Sequence, residues 1–386
     1  MSPAEPPWPA GPARPGATAG PVRIAGAGLI GASVGLALRA QGVAVTLEDP
    51  SPTALALAEQ IGAGRALRPA ETGPGGPGGP PPRLVVVAAP PDVTAAVVAA
   101  QLERHPEATV TDVASVKAAI ADQLGAWGAD LTRYVGSHPM AGREKAGPAA
   151  ATADLFVGRP WVIAPTGATT EAAVLRVRDL ATDLGAHPAY LSAAAHDQAV
   201  ALVSHVPQIL ASLTAARLEA AAPGALDLAG QGLRDMTRVA ASDPNLWAAI
   251  LAANGAEVAQ VLRAVRADLD RAIAALDGAA GPGGQGRALL ELAGLVAAGR
   301  RGAERIPGKH GGARRVFDKV TVMVPDKPGE LGRLFQEMGR LGVNLEDLAL
   351  EHGAGQLVGL AQVSVPPGQG AALAEDLAGQ GWRILQ

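Results

Sequence analysis

Residues 22–31, Val-Arg-Ile-Ala-Gly-Ala-Gly-Leu-Ile-Gly, decide the fold. Val22 to Ala25 is a short apolar run that suits a strand. It leads into three glycines, Gly26, Gly28 and Gly31, in a GxGxxG spacing, and then into an Ala/Leu stretch reaching Ala40 that suits a helix. A second β-branched run, Val43 to Leu47, follows and ends on Glu48 and Asp49. Strand, turn, helix and strand in that order open a βαβ unit.

Each glycine has a separate mechanical task in such a turn. The first permits the tight turn, the second lets backbone approach a pyrophosphate, and the third allows close helix–strand packing. The helix N-terminus then offers backbone N–H donors and partial positive charge. Gly26, Gly28, Leu29, Ile30 and Gly31 are therefore expected to hold a dinucleotide. Asp49 lies about 20 residues on, where a carboxylate can accept hydrogen bonds from the adenosine ribose and repel a 2′-phosphate. That favours NAD over NADP. Glu48 should point to the opposite face of its strand. With 49 glycines in the chain, a ligand-free glycine turn is the alternative.

Outward from this loop, residues 1–20 read as a disordered arm. They hold six prolines and no apolar core, so a signal peptide is not expected. Residues 21–190 continue as an NAD-binding α/β domain. Leu84 to Ala89 is apolar on both faces, as in a buried parallel strand, and Thr109 to Val113 and Trp161 to Ala164 read as further strands. Residues 71–82 (ETGPGGPGGPPP) form a low-complexity surface insertion. Residues 191–300 lose all strand signals and read as an all-α dimerisation and substrate domain, broken at Pro223-Gly224, at Ser242-Asp243-Pro244 and at 281–284. A linker spans 301–315. Residues 316–386 then read as strand, helix, strand, strand, helix, strand, a βαββαβ module. The expected fold class is α/β with a Rossmann-like first domain.

Composition narrows the function. Lys plus Arg is 32 and Asp plus Glu is 36, for a net charge of −4, a poor match for nucleic-acid binding. There is no cysteine, which removes disulfides and thiolate chemistry. The seven histidines show no HExxH or HxH spacing, so no metal site is expected. No uninterrupted apolar run of about 18 residues is evident, so no membrane span is expected and a cytoplasmic location follows.

Two motifs carry chemistry. His138 stands in Gly136-Ser137-His138-Pro139-Met140-Ala141-Gly142, which reads as a loop that frees the ring to meet a substrate; a loop histidine bonded to backbone is the alternative. Ser204, His205 and Gln208 lie at helical spacing, with Ser204 and Gln208 on one face; His205 could equally be a core residue.

At this point the chain resembles the prephenate/arogenate dehydrogenases of tyrosine biosynthesis. The matching stretches are GAGLIGASVG (26–35), DVASVK (112–117), GSHPMAGREKAG (136–147), SHVPQ (204–208) and LRDMTRVAASDPNLW (233–247). They recur in family order across about 300 of the 386 residues. RIPGKHGG (305–312) and the last module resemble the branch with a C-terminal ACT domain.

The resemblance implies NAD-dependent oxidative decarboxylation of prephenate to 4-hydroxyphenylpyruvate by a homodimer joined through its helical domain. It implies His138 and Ser115 as catalytic residues, Ser115 having a helix N-cap role as its alternative. Arg238 would bind a substrate carboxylate, and Glu144 would pair with it. Ser204, His205 and Gln208 would line the substrate side. The family often has a second histidine where Gln208 stands; a neutral amide there leans towards prephenate over arogenate. Gly329 and Asn344 would mark an effector site, with tyrosine the expected ligand; a purely structural module is the alternative. Three other readings stay open: an arogenate or dual-substrate enzyme, a non-catalytic NAD- and amino-acid-binding sensor, and an unrelated β-hydroxyacid dehydrogenase. The last needs a catalytic lysine in its helical domain, and Ser192 to Ala280 contains none.

Overall fold

The computed structural model describes residues 16–68, 71, 81–142, 145, 147–279, 281, 284–307, 317–352 and 358–385. These fall into two compact units. The first holds the described residues up to Ser212 together with Val239–Arg263, and the second holds Leu213–Arg238 and the described residues from Ala264 onward.

The first unit is built on an eight-stranded sheet. Its strands are β1 (Val22–Ala25), β2 (Val45–Glu48), β3 (Arg65–Ala66), β4 (Leu84–Val87), β5 (Thr109–Asp112), β6 (Tyr134–Pro139), β7 (Pro160–Pro165) and β8 (His187–Tyr190). Their order is β3-β2-β1-β4-β5-β6-β7-β8. Strands β1 to β6 pair in parallel; β7 runs antiparallel to β6, and β8 follows β7 in parallel. This is the doubly wound arrangement the glycine loop predicts, and the order reverses between β1 and β4.

Alternation along the strands explains why both faces are covered. Val22, Ile24, Leu84 and Val86 join one apolar cluster, while Ala25, Val85 and Val87 join the other. The helices Leu29–Ala40 and Glu171–Asp183 contribute Val34, Leu38, Val174, Val177 and Leu180 to the first cluster. The helix Pro91–Arg104 contributes Ala95, Val98 and Leu102 to the second, joined by Ile250 and Trp247 from the helix Pro244–Ala253.

Order reaches further towards the N-terminus than the expected boundary at residue 20. The amides of Gly16 and Thr18 donate to the carboxylate of Asp183, at 2.6 and 2.7 Å, and anchor this segment. The rest of the expected arm, and residues 72–80 of the Gly/Pro insertion, lie outside the described residues.

Among the described residues between 191 and 300, every regular element is helical or a helical turn. That stretch divides between the two units, because Ala193–Val200 and Pro244–Ala253 pack on the α/β core. Ala193–Ala220 is a continuous helical run, long and apolar enough by length and composition to cross a membrane. It also carries His196, Asp197 and His205, all buried and hydrogen-bonded in the first unit. The sequence reading missed the run because those polar residues interrupt it. The helix Gly284–Glu304 continues into the stretch expected to be linker; residues 308–316 lie outside the described residues.

The C-terminal module has β9 (Asp318–Pro325), β10 (Asp347–His352), β11 (Val358–Val365) and β12 (Arg383–Leu385), with helices Glu330–Arg340 and Gly370–Gly379. Its sheet order is β10-β11-β9-β12, antiparallel throughout. That is the split βαββαβ sandwich expected from the sequence. Val320, Val322, Val324, Leu334, Met338, Leu373 and Leu377 form its core.

Candidate active site

The glycine loop has the shape a dinucleotide needs. Gly26 has φ +110°, and a Cβ there would collide with the carbonyl of Ala88. A Cβ at Gly31 would collide with the carbonyl of Gly26, so helix and strand are as close as backbone allows. A Cβ at Gly28 would meet nothing within 4 Å, leaving open space in front of the loop. Gly28 caps the helix Leu29–Ala40 without a side-chain hydrogen bond. The first-turn amides, those of Leu29 and Ile30 among them, are the donors that pyrophosphate oxygens use at a helix N-terminus. Asp49 follows β2. Its carboxylate accepts from the amides of Ala27 (2.6 Å) and Ser51 (2.7 Å) and retains lone pairs for further donors. Glu48 points away, as expected, and pairs with Gln101 and Arg104.

His138 stands in a strand rather than a loop. It is the fifth residue of β6 and pairs with Val162 of β7. The flanking Pro139 read as a loop marker, yet it ends the strand, where proline is tolerated. The ring is half-buried. Its Nδ1 lies 2.9 Å from Nε2 of His196, with the two rings edge-on at 77°. His196 Nδ1 lies 2.7 Å from Oδ1 of Asp197. Burial first, then electrostatic interaction with His196, Lys117 and His205, holds the His138 pKa well below the ordinary histidine value. A neutral imidazole results, which is the form that accepts a proton.

Asp197 also caps a helix from outside. Its carboxylate accepts from the amides of Lys117 (2.9 Å) and Ala118 (2.8 Å) at the start of the helix Ala118–Ala126. Ser115 therefore does not serve as that N-cap. It sits half-buried in the turn after β5, and no hydrogen bond joins it to His138 among the described residues. Beneath the site Lys117 is buried, with its ammonium bonded to Asp112 and to the Ser137 carbonyl (2.7 Å). Tyr134 donates to the same Asp112 at 2.8 Å. A buried pair of this kind, fully hydrogen-bonded, positions rather than stabilises.

The SHVPQ segment departs from regular α-helix. Ala201–His205 is π-helical, and Val206–Arg217 resumes as α-helix. Pro207 lacks an N–H and would clash with the carbonyl four residues back, so the turn before it widens. Ser204 is half-buried. Gln208 is buried, its amide between Ser212 (3.4 Å) and Ser242 (3.5 Å). His205 is fully enclosed: its ring meets Trp247 edge-on, and its Nδ1 lies 3.1 Å from the Asn254 amide. It is the core histidine of the two readings. Burial pulls its pKa down to about 4.

Arg238 ends the helix Gln231–Arg238 in the second unit and is exposed. Glu144 lies outside the described residues. Gly329, at φ +91°, caps the helix Glu330–Arg340 and lines a hollow of about 400 Å³ with Pro325, Lys327, Leu331 and Leu350. Asn344 does not line it; its amide donates to Glu346 at 2.9 Å. Among the described residues, no group of three or more His, Asp or Glu could hold a metal.

Sequence reasoning missed His196, Asp197, Lys117 and Asn254. The adjacent His-Asp pair at 196–197 was the available signal. Helix neighbours do not face each other, and His138 is 58 positions away, so spacing rules could not join them.

Comparison with known proteins agrees with this geometry. The profile described as "Prephenate dehydrogenase, nucleotide-binding domain" matches residues 34–190, and "Prephenate dehydrogenase, dimerization domain" matches 192–285. The chain is 38% identical over 362 residues to "Probable prephenate dehydrogenase NovF" of Streptomyces niveus, covering 93% of this chain and 98% of that one. The structure of prephenate dehydrogenase from A. aeolicus with hydroxyphenyl propionate and NAD+ matches at TM-score 0.62 and 25% identity, covering 73% of this chain and 97% of its own. Synechocystis arogenate dehydrogenase matches at TM-score 0.58 and 26% identity, covering 73% and 99%.

Proposed function

Since the chain belongs to the prephenate dehydrogenase family, we propose that it oxidises prephenate to 4-hydroxyphenylpyruvate and CO2 with NAD, with His138 as the proton acceptor. The substrate is a ring alcohol carrying two carboxylates. NAD, when bound, takes the hydride from the carbinol carbon. His138 Nε2 receives the hydroxyl proton as the carbon–oxygen double bond forms. Loss of CO2 returns its bonding pair to the ring, and the proton goes back to the resulting phenolate oxygen. Aromatisation drives the step, so the protein's work is alignment and charge placement.

One observation carries the assignment of His138: its Nδ1 is held by His196 at 2.9 Å, which reserves Nε2 for the substrate. Gly26, Gly28, Leu29, Ile30 and Gly31 cradle the pyrophosphate, and Asp49 takes the ribose. Ser115 steadies the substrate hydroxyl. Arg238 grips a carboxylate through its planar fork, with Glu144 as its partner, and Ser204 and Gln208 line the side-chain end. The chain works as a homodimer; its dimerization-domain match and the exposed Leu202, Val203, Leu269 and Ile273 support this. The hollow at Gly329 takes a free amino acid, tyrosine as end product.

The test is NADH formation with prephenate and arogenate side by side, each with NAD and NADP. Turnover of prephenate with NAD, at a rate above that with arogenate, is expected. Arogenate as the better substrate would transfer the function to the tyrosine-forming reaction, and no NADH from either would end the proposal.

A further inference from the structure

We infer that His196 and Asp197 act as positioning residues that fix the tautomer of His138, so that its Nε2 is bare before substrate arrives. The inference rests on the reading of His138 as the proton acceptor and extends it to the groups behind the ring.

The direction of every proton in the chain follows from Asp197. Its two oxygens accept from the Lys117 amide, the Ala118 amide and His196 Nδ1, at 2.9, 2.8 and 2.7 Å. Burial works against its charge, but these hydrogen bonds prevail and its pKa lies below the ordinary value. An ionised carboxylate only accepts, so His196 Nδ1 must carry a hydrogen. A neutral imidazole has one, so His196 Nε2 is a bare acceptor. His138 Nδ1, 2.9 Å away, must then donate, and His138 Nε2 is left with its lone pair.

The opposite polarity needs a second hydrogen on His196. That would put an imidazolium in a fully enclosed position, against the ring of His138. Asn254 holds the arrangement in place: its amide donates to the Asp197 carbonyl at 2.8 Å and lies 3.1 Å from His205 Nδ1. His196 thus sets the side from which His138 works, and Asp197 sets His196.

Three measurements on the full-length protein test this. Nitrogen-resolved NMR of the wild-type histidines should show His138 with its hydrogen on Nδ1; a hydrogen on Nε2 would overturn the inference whatever the variants do. His196→Leu should lose that tautomer bias and lower kcat by roughly 10²–10⁴-fold, with KM for NAD and substrate within about threefold. His196→Gln, whose carbonyl can stand in for Nε2, should restore kcat to within about tenfold of wild type. Should His196→Leu fail to fold, the NMR result and the Gln variant decide. His138→Asn separates the two claims. If it keeps full turnover, the proton-acceptor reading falls. If it is inactive while His196→Leu keeps both kcat and tautomer, only the positioning role falls.

Discussion

Oδ2 of Asp49 lies 2.6 Å from the amide of Ala27, so the residue proposed to bind the ribose also braces the loop proposed to hold the pyrophosphate. One carboxylate therefore links two parts of the proposed dinucleotide site. Replacing it should disturb both, and that separates Asp49 from a simple ribose contact.

Asp49→Asn should weaken NAD binding by about 10–100-fold, the scale of lost hydrogen bonds to a charged group, and should relax discrimination against NADP. Fluorescence titration with each cofactor measures both effects. Unchanged affinity for NAD would remove Asp49 from the site.

With His138 as the proposed proton acceptor, its depressed pKa sets the pH behaviour expected of the reaction. Burial is the leading cause, so the neutral form persists below pH ~6.5, the ordinary histidine midpoint. The acid limb of kcat/KM should fall below that value, with no loss between pH 7 and 8 from this group. A limb centred above pH 7 would contradict the environment described here.

Arg238→Lys should raise KM for prephenate by about 10–100-fold while leaving NAD affinity unchanged, because an ammonium cannot reproduce a two-pronged contact. Steady-state kinetics with each substrate varied distinguishes this from a general loss of structure.

His205 makes stability depend on pH. Its folded pKa is about 4, lowered first by burial, against about 6.5 in the unfolded chain. Between those values the unfolded chain binds a proton that the folded chain excludes. Stability should therefore fall as pH drops from ~6.5 towards 4, by an amount on the order of 3 kcal/mol at the acid end. Urea unfolding at pH 7, 6 and 5 should show this slope in wild type and a flatter one in His205→Gln. Equal slopes would mean that the ring is not the responsible group.

Tyrosine should inhibit the full-length enzyme. Gly329→Ala should blunt that inhibition, since a residue other than glycine at φ +91° strains the lip of the hollow. Inhibition unaffected by Gly329→Ala would place any effector elsewhere.

The strands around the glycine loop and the βαββαβ module were readable from the amino-acid order because they depend on local pattern. Period-two alternation, apolar runs and glycine spacing are properties of neighbours in the chain. Val85 and Val86 point to opposite clusters for the same reason that they alternate. His138 was readable as a residue but misplaced as a loop, because its strand is completed by pairing with β7. Pairing partners are not encoded in a six-residue window.

What the sequence by itself determined is the dinucleotide fold and the architecture of the last module, and it singled out His138 as the proposed proton acceptor. What only the tertiary structure decided is the company that histidine keeps. Lys117, the adjacent pair His196 and Asp197, and Asn254 come from three separate stretches, and they meet because helices from beyond residue 192 pack against the sheet. Proton polarity belongs to such a network as a whole. It is set where an ionised carboxylate terminates a chain of hydrogen bonds, and no single segment of the chain contains the whole of that network.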